Sequence, residues 1–205
     1  PGMALYERWV NGLCGPDEIH RERFVDAPIV HPTWLLRRSL LEKHGGYRSG
    51  LDGPEDYDLL LRLLASGVRA AKVPRVLLQW RDEPGRLTRT DPRCSATALL
   101  ALKVRHLLAG PLAGGRPYLL QGAGPTGKKA CRALQAAGAG PDGLVDINPR
   151  RVGRTIHGVP VLGLDDLAEP EHRDHLLLIA VARPGAKLVV RAQLAALGRD
   201  EPEAA

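Results

Sequence analysis

The chain has 205 residues, enough for one large domain or two small ones, and its 44% hydrophobic and 25% charged residues are typical of a globular protein. A formal net charge of +6 suits an anionic partner, but the basic residues are spread along the chain and only 4% of residues are aromatic. Because a stacking surface for nucleic-acid bases needs more aromatic side chains, nucleic acid is not an expected partner.

Cysteine usage and the apolar pattern indicate the compartment. Cys14, Cys94 and Cys131 are widely separated, with no CxxC pair and no histidine at zinc spacing, which is typical of free thiols in a reducing environment. No apolar run reaches membrane-spanning length, and the first residues lack the pattern of a secretory leader. We therefore expect a cytoplasmic protein without a metal site of its own, with the inner face of the membrane as an alternative location.

The first half mixes short apolar runs with turns. Residues 27–34 are predicted to be extended, and a short helix after them ends at the Gly45-Gly46 pair. A second helix follows in "EDYDLLLRLLASG" and ends at Gly67. Residues 68–81 are predicted to return as extended chain, interrupted by Pro74, and a polar loop leads to residue 93.

A linker and a second half follow. Residues 94–110 contain strong helix formers with apolar residues on one face, and "AGGRP" after them is typical of a hinge. From residue 117, continuous apolar strands alternate with amphipathic helices, which predicts a parallel α/β sheet. The predicted organisation is a first domain at 1–93, a linker helix and hinge at 94–112, and a second domain at 113–205.

The second half carries a glycine-rich turn. Gly122, Gly124 and Gly127 form G-x-G-x-x-G directly after a predicted strand and at the start of a helix, and Asp146 ends the next strand. In that context the motif gives a tight turn and a close approach to a diphosphate at a helix N-terminus, while the acid binds a ribose. The alternative is that the glycines serve only the turn and the helix packing. Nearby basic residues that could meet a phosphate, or simply be solvated, are Arg150, Arg151 and Arg154.

Residues 117–198 also resemble a known family. The stretches "QGAGPTGKKACRAL" and "VGRTIHGVPVLG" look like the small nucleotide-binding domains of bacterial sugar acyltransferases and of CoA-binding-type proteins. The resemblance implies a small Rossmann-like domain. Its ligand differs from member to member, so a dinucleotide and CoA both remain candidate cofactors.

Three carboxylates crowd the start of the helix in "GPEDYDLLLRL". Acidic residues in a first helical turn favour the helix dipole, so capping alone would explain Glu55 and Asp56. Asp56 and Asp58 form D-x-D, but residues two apart on a helix point in different directions and do not easily chelate one ion. Asp58 has Arg62 four residues later, which predicts a helix-face ion pair and a structural role.

The motifs "HPTWLLRRSLLEKHGGYR" and "GPEDYDLLLRLLASG" resemble the C-terminal, acceptor-side part of family-2, GT-A-type glycosyltransferases, over about residues 7 to 93. The resemblance implies that Asp56 is the base that deprotonates the acceptor hydroxyl, with Glu55 orienting the site. The usual aromatic-basic motif is rearranged here as Gln79-Trp80-Arg81. Candidate substrate-binding residues, each with packing or solvation as the alternative, are His31, Trp80, Arg81, Arg86 and Arg89.

The resemblance lacks the family's donor half. That half carries the nucleotide pocket and the D-x-D that binds Mg or Mn, and it would precede these motifs, so we expect either a fragment of a longer enzyme or a degenerate remnant. The overall expectation is an incomplete GT-A-like unit joined by a helix to a small Rossmann-like parallel-sheet domain. The parent would transfer a sugar from a nucleotide-sugar donor to a saccharide or lipid-linked acceptor in envelope polysaccharide synthesis. The alternatives are a nucleotide- or CoA-binding regulatory module and an assembly domain.

Overall fold

The computed structural model describes residues 2–81, 83–181 and 185–199 and the backbone of residues 203–204. It divides into two compact units, Pro1–His106 and Leu107–Ala205, and each is described separately below. The division falls inside the helix that the sequence predicted as a linker, and the predicted three-part organisation stays a prediction. None of the helices in the described ranges is long and apolar enough to cross a membrane.

The first unit is built from helices and irregular chain, and its described residues contain no β-strand. Single turns of 3-10 helix occur at His31–Thr33 and Pro92–Cys94. The α-helices are α1 (Gly2–Gly12), α2 (Pro16–Glu22), α3 (Arg38–His44), α4 (Glu55–Ala65), α5 (Leu87–Thr90) and α6 (Ala96–Ala109), the last of which continues past the boundary of the unit.

The two stretches predicted as extended chain in this unit are not strands. Residues 27–34 contain the 3-10 turn at His31–Thr33, where the Thr33 hydroxyl donates to the carbonyl of Val30. Residues 68–81 form irregular chain in which the N–H of Arg75 turns back to the carbonyl of Val73, on either side of Pro74. Apolar, β-branched composition predicted extended structure here, but no neighbouring strand among the described residues pairs with either stretch.

The core of the first unit forms around α4. All five leucines of this helix are buried, and Leu60 and Leu64 pack with Ile19 of α2. Trp34 is partly buried against the same cluster. The buried Tyr57 hydroxyl donates to the carbonyl of Arg23 at 2.6 Å, so α4 is also fixed to the end of α2 by a polar contact.

A buried ion-pair network links α4 to α3 and α6. The side chain of Asp58 is fully buried and accepts from Arg62 Nε at 2.8 Å and from His106 Nε2 at 2.9 Å. Arg62 also donates to the carbonyls of His44 and Gly46, each at 2.5 Å, at the end of α3. Burial raises the pKa of Asp58, but the bonds from Arg62 and His106 outweigh it and hold the pKa below its usual range. The predicted Asp58–Arg62 pair is confirmed.

The second unit is an α/β domain, which confirms the predicted fold class. Its apolar strands alternate with helices as the sequence indicated. The elements are β1 (Tyr118–Gln121), α7 (Pro125–Ala136), β2 (Gly143–Val145), β3 (Thr155–Ile156), β4 (Val159–Leu162), β5 (Leu176–Ile179), α8 (Ala186–Ala196) and β6 (Glu203–Ala204), with single 3-10 turns at Ala113–Gly115, Asp165–Ala168 and Pro170–His172.

The strands form one sheet, in the order β3-β4-β2-β1-β5-β6 among the described residues. All neighbouring pairs are parallel except β3 and β4, which form an antiparallel hairpin. Leu119 of β1 packs in a core cluster with Val190 and Leu194 of α8. The pKa of the adjacent Tyr118 is raised by burial and then by Cys131 of α7, so this side chain lies near α7 instead. The two helices therefore cover the two faces that alternate along β1.

Strand order places a topological switch point at the carboxyl end of β1. From β1 the chain continues through α7 to β2 on one side, and β5 lies on the other side, so the order reverses between β1 and β5. In open parallel sheets, ligands bind at such a reversal, outside the carboxyl ends of the strands. The glycine-rich turn follows β1 at this point.

Candidate functional site

Two of the three glycines in the turn are required by the fold itself. Gly122 has φ of +117°, and a Cβ there would lie 2.8 Å from Cγ1 of Val181 and 2.9 Å from the carbonyl oxygen of Ala180. A Cβ on Gly127 would lie only 1.6 Å from the carbonyl oxygen of Gly122. Because Gly122 and Gly127 allow β1, β5 and α7 to approach closely, packing alone explains why both positions are glycine.

Gly124 is different, because none of the residues that the structure describes requires it to lack a side chain. Its φ of −80° and ψ of −171° are open to any residue. An added Cβ would meet Nη1 of Arg151 at 3.9 Å as its nearest neighbour, an ordinary contact distance. Among the described residues the backbone of Gly124 therefore lies open at this end of the sheet, as the middle glycine of the motif does when a diphosphate approaches it.

The N-terminus of α7 faces the same turn. Gly124 is the N-cap, Pro125 is the first helical residue, and the first intrahelical bond runs from the N–H of Lys128 to the carbonyl of Gly124. The N–H groups of Thr126 and Gly127 therefore have no partner within the helix. Together with the positive end of the helix dipole, these donors favour an anion at this position.

Asp146 lies where the sequence predicted an acid, at the end of β2, but its carboxylate already has partners. Oδ2 accepts from the N–H of Ala123 at 2.9 Å and from Nη1 of Arg151 at 3.0 Å, and Oδ1 accepts from the N–H of Asn148 at 2.8 Å. Burial raises the pKa of Asp146, but these three donors outweigh it and lower the pKa below its usual range. Asp146 thus joins the glycine turn to the loop after β2.

Other polar groups surround this turn. Arg151 remains 39% exposed, while Arg150, Arg154 and Lys128 are exposed. Gln121, the last residue of β1, is buried, and its Oε1 has no hydrogen-bond partner in the part of the chain that the structure describes. Gln121 is not among the predicted site residues, although one polar residue ending the apolar run "PYLLQ" was a usable signal.

The family comparison concerns this second unit. Residues 117–197 match the family model of the CoA binding domain. That stretch is less than half of the chain. The second unit is therefore similar to the CoA binding domain and has a Rossmann-like sheet, which supports this part of the predicted resemblance. None of the curated proteins matches the chain.

The solved structures that resemble the chain include three of RSP, a Rex-family repressor. The structure of RSP itself is 20% identical over 49% of this chain and 50% of that chain. The complexes with β-NADH and with β-NAD+ and operator DNA are each 15% identical over 82% of this chain, covering 78% and 77% of theirs. All three give a TM-score of 0.34, too low to bear on function, so the expectation of no nucleic-acid partner stays untested.

No glycosyltransferase is among these matches, and the family match leaves residues 1–116 outside it. The assignment of the first half to that family therefore has no support beyond the sequence motifs. The predicted roles of its residues stay predictions, and the structure shows where each of them lies.

In the first unit, Asp56 is brought together with His31. Nδ1 of His31 lies 3.7 Å from Oδ2 of Asp56, and its Nε2 lies 2.7 Å from the hydroxyl of Tyr47. The other oxygen of Asp56 accepts from the N–H of Tyr57. Burial, then the charges of Asp56 and Glu55, raise the pKa of Tyr47. Tyr47 was missed as a site residue, although it belongs to the "GGYR" that marked the motif.

The remaining predicted residues of the first unit are dispersed among separate contacts. Glu55 pairs with Arg93 at 3.5 Å. The guanidinium of Arg86 lies 4.0 Å above the ring of Trp80, a cation–π contact, and Trp80 also lines a groove of about 620 Å³ beside α1. Arg81 is largely exposed and lies 3.7 Å from Glu83, and Arg89 lies on α5.

Within residues 2–81, 83–181 and 185–199, no three histidine, cysteine or acidic side chains lie close enough to hold a metal ion. The binding of Mg or Mn, which the glycosyltransferase resemblance implies, therefore stays a prediction about the full-length parent.

Proposed function

We propose that the second unit is a binding module for CoA or a dinucleotide, without catalysis of its own. The observation that carries the proposal is Gly124, whose bare backbone lies at the carboxyl end of β1 and which no packing contact among the described residues requires to be glycine. The match of residues 117–197 to the CoA binding domain supports the same ligand class. When bound, such a ligand would supply its diphosphate as the anion that the turn accommodates.

Several residues of the second unit would contribute to binding the diphosphate. The N–H groups of Thr126 and Gly127 would donate to the diphosphate, and the absence of a side chain on Gly124 would let it approach them. Arg151 would offset the negative charge. Asp146 would hold the turn in place through Ala123, rather than contact the ligand first.

Calorimetric titration of the complete chain with CoA and with NAD tests this proposal. We expect saturable binding of at least one of them, and Gly124→Ala should weaken it by about tenfold or more, which corresponds to ~1.4 kcal/mol. The melting temperature should stay unchanged, because the new Cβ meets only Arg151 at 3.9 Å.

Gly163→Ala provides the matched control. Gly163 follows β4 in the same unit, and a Cβ there would meet Cγ1 of Val152 at an ordinary 3.5 Å. This variant should bind as the unmodified protein does. No binding of either ligand at millimolar concentration would refute the proposal, and so would equal affinity of the Gly124→Ala variant.

Glycosyl transfer is the second candidate function, and the approach of His31 and Tyr47 to Asp56 favours it. A histidine between a phenol and a carboxylate suits proton transfer from a substrate hydroxyl. The chain alone should transfer no sugar from nucleotide-sugar donors to saccharide or lipid-linked acceptors, and measurable turnover would contradict that. In a full-length parent, Asp56→Asn should abolish transfer while donor binding stays nearly intact; retained transfer would exclude Asp56 as the base.

A further inference from the structure

A buried glutamine ends β1, directly before the glycine turn. Gln121 is only 2% exposed, and its Oε1 has no hydrogen-bond partner among the residues that the structure describes. A buried acceptor without a donor destabilises a protein, and nearly all such groups in native proteins have a partner. In the free second unit, Gln121 is therefore less favourable than an apolar residue of the same size would be.

The side chain of Gln121 lies in an apolar layer of the core. Its Cα pairs with those of Val145 in β2 and Ile179 in β5, and paired residues of neighbouring strands point to the same face of a sheet. Both neighbours are fully buried and belong to the core cluster that includes residues of α8. Leu119, two residues before Gln121, belongs to the same cluster. Gln121 thus places a carboxamide at the carboxyl edge of this layer, where Val145 and Ile179 offer no side-chain donor.

This carboxamide is on the face of β1 that α8 covers, one residue from the turn. A ligand that spans the switch point has one half beside β2 and the other beside β5, with its diphosphate at the glycine turn. Gln121 is therefore placed to meet the half that continues beyond the diphosphate on the β5 side. The last side-chain torsion of glutamine is broad, so the oxygen can turn toward a donor at the strand end.

Amide N–H groups are the donors that both candidate ligands carry in that half. CoA has them in its pantetheine arm, and NAD has them in the carboxamide of its nicotinamide. Resting on the proposed function, we propose that Gln121 recognises the part of the ligand beyond the diphosphate by accepting a hydrogen bond from an amide N–H. The bound ligand then supplies a donor for Oε1, so the same residue weakens the free fold and strengthens binding. This contact is separate from the diphosphate contact at Gly124.

Gln121→Met separates the two effects, because methionine has nearly the same size and its sulfur is only a weak acceptor. The thermal midpoint of the second unit without ligand should rise by about 4 °C or more. In calorimetric titrations of the complete chain, the affinity for CoA or NAD, whichever binds, should fall by about tenfold or more. The affinity for the matching fragment without the amide-bearing arm, ADP for CoA and ADP-ribose for NAD, should change by less than about threefold.

Gln193→Met is the matched control. Oε1 of Gln193 is likewise buried without a partner in the described part of the chain, but Gln193 lies about two turns into α8. This variant should also raise the thermal midpoint, and it should leave the affinity for every ligand unchanged.

The possible outcomes separate this inference from the proposed function. Unchanged affinity of Gln121→Met for the complete ligand would exclude the contact. A lower thermal midpoint of Gln121→Met would also overturn the inference, because the glutamine would then be satisfied in the free protein. Equal losses for the ligand and its fragment would exclude the arm as the source. If the unmodified chain binds neither CoA nor NAD, the proposed function fails and this inference fails with it.

Discussion

Gly127→Ala should destabilise the second unit by about 3 kcal/mol or more, because the new methyl group has no room. The Cβ would lie 1.6 Å from the carbonyl oxygen of Gly122, which is backbone and cannot rotate away. Relief requires α7 to move off β1, and that would disturb the buried contacts of Cys131 and Leu134 on the helix. At an unrestricted helical position the same change would stabilise the protein by up to ~1 kcal/mol, since alanine is the better helix former. The sign of the effect is therefore diagnostic.

Denaturant unfolding followed by circular dichroism measures this effect. Gly124→Ala, three residues earlier in the same turn, is the matched control and should unfold at the midpoint of the unmodified protein. An unchanged midpoint for Gly127→Ala would contradict the close packing of the turn against α7. A loss of stability in both variants would contradict the distinction between packing and ligand-facing glycines.

The sequence predicted the second unit well because its signals are local. Continuous apolar strands, amphipathic helices and a glycine turn between strand and helix each follow from neighbouring residues. The same pattern could not separate the roles of Gly122, Gly124 and Gly127, since those roles depend on which atoms approach from β5 and from the turn itself. The partners of Asp146 were equally hidden, because Arg151 reaches it only through the fold of the loop.

The first unit was predicted less well, and the reason is again physical. Residues 68–81 have the composition of a strand, yet a strand needs a partner, and composition does not provide one. His31, in a 3-10 turn, lies beside Asp56, and Tyr47, from the chain after α3, contacts His31, so the candidate site shows the same limit. Sequence spacing identified the pair of Asp58 and Arg62, which are four residues apart. It could not identify His106, which is 48 residues from Asp58 and reaches it by packing of α6.

Asp58→Asn should lower the free energy of unfolding of the first unit by about 3–5 kcal/mol, the cost of leaving a buried charge without its partner. Arg62 is only 12% exposed, and it would keep its bonds to the carbonyls of His44 and Gly46 without a carboxylate to neutralise it. His106 would lose its ionised acceptor at the same time. Guanidinium unfolding of the complete chain measures the change.

Glu42→Gln separates burial from ion pairing as the cause. Arg38 and Glu42 form a pair with the same four-residue spacing and a similar 2.9 Å separation, but both side chains are largely exposed. Exposed pairs contribute little, because water already solvates both charges, so this variant should unfold almost as the unmodified protein does. Equal losses in the two variants would mean that pairing alone sets the cost. A large loss of stability in Asp58→Asn alone would show that burial sets the cost. It would also show that the polar network around Asp58 stabilises the packing of α3, α4 and α6.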